Sequence, residues 1–141
     1  MSVLTPSPLL RFALVLDAGV SGLIALAQLL LIDWLAGATL LPAPLLGVTG
    51  AFMALYAGVL LWLARRAHLR GGWVRLIAFG NLGWALACTA LAMSGLVPHA
   101  PPGAAYLAMQ ALGVVVFAVL QFKGLAASAS HGSDVRMQRA V

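Results

Sequence analysis

Charge is scarce in this sequence. Only 8% of its 141 residues are Asp, Glu, Lys or Arg, and only three are acids. A water-soluble domain of this size needs a far more polar surface. Cysteine is scarcer still. The lone Cys88 permits no internal disulfide and has no CxxC neighbour for thiol–disulfide exchange. The three histidines, His68, His99 and His131, all fall outside the long apolar stretches. That excludes a haem held between two intramembrane histidines, and scattered His with one Cys has no zinc-ligand spacing. No phosphate-cradling Gly loop with its Lys and no nucleophile triad is present, and Gly71-Gly72 reads as a turn. An enzyme acting on lipid is therefore disfavoured, although one aspartate can serve as acid or base. No cofactor or metal is expected.

What remains is apolar. Hydrophobic residues make up 63% of the chain, and the mean hydropathy is +1.05. Four long apolar stretches lie at 12–32, 43–63, 76–96 and 104–122. They are too long for barrel strands and lack strict alternation, so helices are the consistent reading in lipid. The first would be roughly 31 Å long, close to the hydrocarbon thickness of a bilayer. Ser7 before Pro8 suits a helix cap and first turn, and Pro42 and Pro44 fall where a missing amide is harmless. Pro98, Pro101, Pro102 and Gly103 precede the last stretch. The expected fold is an all-α, polytopic membrane protein, a four-helix transmembrane bundle at 11–123. Residues 1–10 form a short amino-terminal segment. Residues 124–141, rich in small residues and Ser, read as a flexible cytoplasmic tail whose Arg136 and Arg139 could touch the membrane. Ala25-Leu26-Ala27 fits a signal-peptidase pattern, but Arg11 is the only preceding basic residue and the apolar run continues to Ile32. A retained anchor is the better reading.

The eight basic residues orient the bundle. Arg11 precedes the first stretch; Arg65, Arg66, Arg70 and Arg75 lie between the second and third; Lys123, Arg136 and Arg139 follow the fourth. The other two connections have none. Both termini are thus expected in the cytoplasm, an assignment that needs an even number of spans. The net charge of +5 sits at span ends, which points to lipid headgroups and away from nucleic acid. Trp34, Trp62 and Trp73 suit the interfacial belt, and Tyr106 reads as an anchor at the outer end of the last span.

Asp17 is the only acid inside these stretches. A charged carboxylate there must be paired, wetted or protonated. Asp17, Ser21, Ile24 and Gln28 share one helical stripe; Gln110, Val114, Phe117 and Gln121 repeat that spacing on the antiparallel last span. Asp17 and Gln121 should therefore share an inner layer, with Tyr56 and Asn81 near it, as a ligand- or proton-binding cluster. Gln28 and Gln110 should share an outer one. Arg11 and Arg75 are both candidates to reach Asp17. A packing role competes with the functional one for the whole set, and Trp84 reads as a large packing residue. Gly22 on the first span and Gly50, Ala54 and Gly58 on the second are candidates for close helix approach, within the bundle or between protomers.

The run Arg75-Leu-Ile-Ala-Phe-Gly-Asn81-Leu-Gly-Trp84 and the stretch from Gln110 to Gln121-Phe-Lys-Gly124 resemble small uncharacterised four-span proteins of the bacterial inner membrane. That resemblance covers most of residues 10–125 and implies the same location. The chain is also broadly similar to the small multidrug transporters, which are four-span and carry a membrane-embedded acid in the first span. That resemblance implies a cation- or proton-binding role for Asp17. The strong basic asymmetry departs from the dual topology of some of those transporters. Two functions follow: a membrane scaffold or accessory subunit packing with itself or another membrane protein, and a small proton-coupled transporter using Asp17.

Overall fold

In the computed structural model, residues 3–98 and 100–138 are described, with side chains as far as Ala129. The expectations for His99, His131, Arg136 and Arg139 lie outside the described side chains. The elements run β1 (Val3–Leu4), α1 (Pro8–Leu30), α2 (Ile32–Thr39), α3 (Ala43–Ala64), β2 (Leu69–Arg70), α4 (Gly71–Met93) and α5 (Pro101–Gln138). Helices α1, α3, α4 and α5 are long and apolar enough to cross a membrane, and they form an all-α bundle.

The distribution of side chains is that of a protein solvated by lipid. Leu23 on α1, Leu55 on α3, Leu86 on α4 and Leu112 on α5 are each at least 69% exposed. Asp17, Gln28, Asn81, Gln110 and Gln121 are buried. The inversion follows from the solvent: hydrocarbon offers polar groups no hydrogen bonds, so they satisfy one another inside. Trp34, Trp62 and Trp73 are all exposed near span ends, and the Arg66 guanidinium lies 4.2 Å over the Trp62 ring.

Ser7 begins α1 as expected. Its extended backbone precedes Pro8, and its Oγ accepts from the Leu10 amide. The same Oγ donates to the Gly124 carbonyl at 2.9 Å, joining the start of α1 to α5. The last span therefore does not stop near residue 122. Gly124 and Ser128 are buried against α1, because Gly124 lets the Leu10 backbone approach to within a side chain's width. The tail expected from 124 is helical through Gln138. Gly71 and Gly72 form the first turn of α4 instead of a turn before it; Gly71 packs beside Leu4 and Leu125.

Two small features were not legible in advance. β1 and β2 pair antiparallel, Val3 with Arg70 and Leu4 with Leu69, tying the amino terminus to the α3–α4 connection. Helix α2 ends at Leu40, which adopts a left-handed conformation with φ 59°.

Close packing joins α1 to α3, α4 to α5 and α1 to α5. Helices α3 and α4 are not among the closely packed pairs, and side chains bridge the wider seam between them. One apolar cluster fills the inner end around Leu10, Leu14, Leu60 and Val74. Another fills the outer end around Leu41, Leu46, Cys88 and Leu107.

The small residues divide in two. A Cβ on Gly50 would lie 2.9 Å from the Gln28 Cβ, and one on Gly22 would lie 3.6 Å from the Ala57 Cβ. Both glycines belong to the α1–α3 interface. Ala54 and Gly58 face outward, Gly58 with nothing within 4 Å of its Cβ position. Helical pitch explains the split. At about 100° per residue, Gly58 has turned roughly 80° from Gly50, whereas Ala57 is only about 20° away. Spacing by four drifts off a face that spacing by seven keeps.

Candidate functional site

Asp17 has no exposed surface. Its Oδ1 accepts from the Ser21 hydroxyl at 3.0 Å, one turn further along α1. Its Oδ2 lies 2.8 Å from the Asn81 amide nitrogen on α4, 2.8 Å from the Gln121 amide nitrogen on α5 and 3.0 Å from the Tyr56 hydroxyl on α3. All four spans meet on one carboxyl group. The expected inner layer of Asp17, Tyr56, Asn81 and Gln121 is thus one hydrogen-bonded unit, with Ser21 added.

Among the described residues, these partners of Asp17 are all uncharged. Arg11 does not turn inward; its Nη2 donates to the Arg66 carbonyl at 3.3 Å, at the protein surface. Arg75 is exposed. Among the described residues no buried side-chain polar atom is left without a partner.

Counting hydrogens shows what this unit can do. Asn81 uses one amide hydrogen on Asp17 and one on the Gln121 carbonyl oxygen, 3.3 Å away. The Tyr56 hydroxyl lies 2.9 Å from the Asn81 Oδ1 as well as 3.0 Å from Asp17. It has one hydrogen for these two oxygens. With Asp17 ionised, that hydrogen goes to the carboxylate. With Asp17 protonated, the carboxyl donates to Tyr56 and Tyr56 donates to Asn81. The Tyr56 hydroxyl can therefore turn between the Asp17 carboxyl and the Asn81 oxygen.

The outer layer also forms, though by a different route than direct pairing of Gln28 with Gln110. Gln28 Nε2 donates to the Tyr106 hydroxyl at 2.8 Å, and the Trp84 indole donates to Gln110 Oε1 at 3.2 Å. The Gln110 side chain also reaches the Tyr106 hydroxyl. Tyr106 is therefore more than an interfacial anchor, and Trp84 more than filler. Thr49 completes the layer, 3.4 Å from Gln28 Oε1. Its hydroxyl also donates to the Leu45 carbonyl at 2.8 Å. That bond within its own helix makes it look like an ordinary helical threonine in sequence.

These outer residues line a cavity of about 280 Å³ bounded by all four spans. Phe52 and Trp84 stack across the α3–α4 seam, their rings 5.5 Å apart and 8° from parallel. By position along α3 and α4, this pair lies between the outer cavity and the Asp17 layer. Asp17 itself does not line the cavity.

No protein-family model, curated protein or solved structure matches this chain. The family and source implied by resemblance gain no support from these comparisons. The fold and the buried network stand on geometry alone.

Proposed function

We propose that this chain is a small proton-coupled transporter, with Asp17 as the group that takes up and releases the proton. The observation that carries the reading is the wholly buried carboxyl, bound by uncharged partners from every span. A structural ion pair needs a cation beside the acid. This acid instead has neutral hydrogen-bonding partners, one of which, Tyr56, can turn from it to Asn81. The cavity beside the network, where α3 and α4 are bridged by side chains alone, supplies a place for a solute. The basic asymmetry supports an orientation with both termini in the cytoplasm, as in a bacterial inner membrane. A second copy or another membrane protein could cover the outward face of Ala54 and Gly58.

The test uses purified protein in sealed vesicles with an imposed pH gradient. Gradient-driven accumulation is measured for a panel of small uncharged and cationic solutes. The wild type accumulates at least one of them, and Asp17→Asn accumulates none while keeping its helical content. Equal accumulation by the two proteins removes Asp17 from the mechanism. A wild type that moves nothing in the panel favours the scaffold reading, in which the network only fixes packing.

A further inference from the structure

The outer cavity has chemistry of its own. Its wall is largely apolar, built by Leu41, Leu45, Leu46, Leu91 and Leu107, and its polar part is Gln28, Thr49, Trp84, Tyr106 and Gln110. None of these side chains is charged. A ligand with a net charge would enter low-dielectric surroundings with no counter-charge, which is strongly unfavourable. The occupant is therefore neutral.

The hydrogen inventory narrows it further. Tyr106 accepts from Gln28, and the Gln110 side chain, whose Oε1 takes the Trp84 indole hydrogen, reaches the same hydroxyl. The indole hydrogen of Trp84 is committed to Gln110. With Gln110 Oε1 taken by the indole, the Tyr106 hydrogen is a donor that this end can offer, and an acceptor such as a carbonyl or ether oxygen complements it. In size, the cavity of about 280 Å³ exceeds the roughly 150 Å³ that holds one benzene ring. A two-ring compound fits. The route in is lateral: Ala87 on the cavity wall is exposed, and α3 and α4 are not closely packed beside it.

We propose that this cavity binds an uncharged one- or two-ring amphiphile bearing a hydrogen-bond acceptor, taken up from the lipid through the α3–α4 seam, with Tyr106 donating to the acceptor. As a binding site it stands by itself; as the substrate site it rests on the transport reading above.

The probe is 2-acetylnaphthalene, with 2-ethylnaphthalene as a match lacking the carbonyl and a naphthyl trimethylammonium as a charged match. Binding is read as quenching of Trp84 emission in detergent-solubilised protein carrying Trp34→Phe, Trp62→Phe and Trp73→Phe. The ketone should bind saturably and more tightly than either comparator. Tyr106→Phe should weaken the ketone about five- to tenfold, the loss of one hydrogen bond, and leave the hydrocarbon unchanged. Ala87→Phe, which fills the mouth from an exposed position, should abolish binding in a protein that elutes as the parent does. Equal binding of all three probes, no saturable binding, or indifference to Tyr106→Phe overturns the assignment. Ketone binding by a chain that drives no solute along a pH gradient supports the site and defeats the transport reading; coupled transport without ketone binding defeats the site.

Discussion

Two substitutions at Asp17 separate its charge from its role as an acceptor. In Asp17→Asn the amide oxygen can occupy the place of Oδ2. It then keeps the donors at 2.8, 2.8 and 3.0 Å from Asn81, Gln121 and Tyr56. The new N–H₂ falls where Oδ1 was, 3.0 Å from the Ser21 hydroxyl, which rotates and accepts. Every contact survives. Loss of charge assistance weakens the bonds, but the desolvation of a charge disappears with it. These effects oppose, so the expected change in stability is within about 1 kcal/mol. Asp17→Leu has similar bulk and no acceptor. It strips four donors of their partner at once, three of them interhelical. Interhelical hydrogen bonds in membranes are worth about 0.6 to 1.7 kcal/mol each, because the unfolded chain also finds partners in lipid. The loss is then roughly 2–5 kcal/mol. Reversible unfolding in mixed micelles, or steric trapping in bicelles, measures both variants. If Leu is as stable as Asn, the three donors are not held by the carboxyl and the counting of hydrogens fails.

Three further outcomes follow from the packing. Gly50→Ala sets a methyl 2.9 Å from the Gln28 Cβ and should cost about 1–3 kcal/mol as an overpacked site, whereas Gly58→Ala, with open space around it, should be neutral or slightly stabilising in the same unfolding assay. Gly124→Ala would place its Cβ 2.7 Å from the Leu10 Cα and 2.8 Å from its nitrogen; backbone cannot swing aside, so α1 and α5 must part, with a loss of about 2–3 kcal/mol against none for Gly113→Ala. In a Cys88→Ala background, an impermeant maleimide should label Arg66→Cys only from the cytoplasmic side and Gly95→Cys only from the opposite side; the reverse pattern would invert the orientation.

The inner layer was legible because its members are long-range exceptions to a simple rule. Asp17, Asn81 and Gln121 are polar groups deep in apolar runs, and helical pitch with antiparallel order sets their depth. Tyr56 was placed by the same reasoning. Ser21 lies on the Asp17 stripe, but a serine in a helix can satisfy itself on its own backbone, so its position alone does not assign it to the network. The outer layer was only half legible. Gln28 and Gln110 announced it, but Tyr106 lies near a span end, where tyrosine has an independent reason to sit. The α3–α4 seam could not be read at all. Which helices pack closely depends on facing surfaces, and Gly50, Ala54 and Gly58 look alike along the chain although only Gly50 meets a neighbour. The extension of α5 onto α1 was hidden for a similar reason: Gly124 and Ser128 in a small-residue run carry the composition of a loose tail, yet small residues are what two helices need to touch.

The seam between α3 and α4 brings these observations together. Their backbones are not closely packed, so long side chains hold them across the gap. Phe52 stacks on Trp84, and one turn inward Tyr56 reaches Asn81 at 2.9 Å. The inner contact shares its one hydroxyl hydrogen with the Asp17 carboxyl. The outer contact includes an indole that is also bonded to Gln110 on the cavity wall. Phe52 and Tyr56 are four residues apart on α3, and Asn81 and Trp84 three apart on α4, so on each helix the two contacts stand on one face. A rigid shift of either helix must alter both. Close backbone packing along the seam would have locked these contacts separately; the gap makes them a single mechanical unit. Phe52→Ala and Asn81→Ala should therefore fail to add when combined, with a coupling of about 0.5–3 kcal/mol, as expected of residues in a shared network. Simple additivity would mean that the cavity and the carboxyl are held independently.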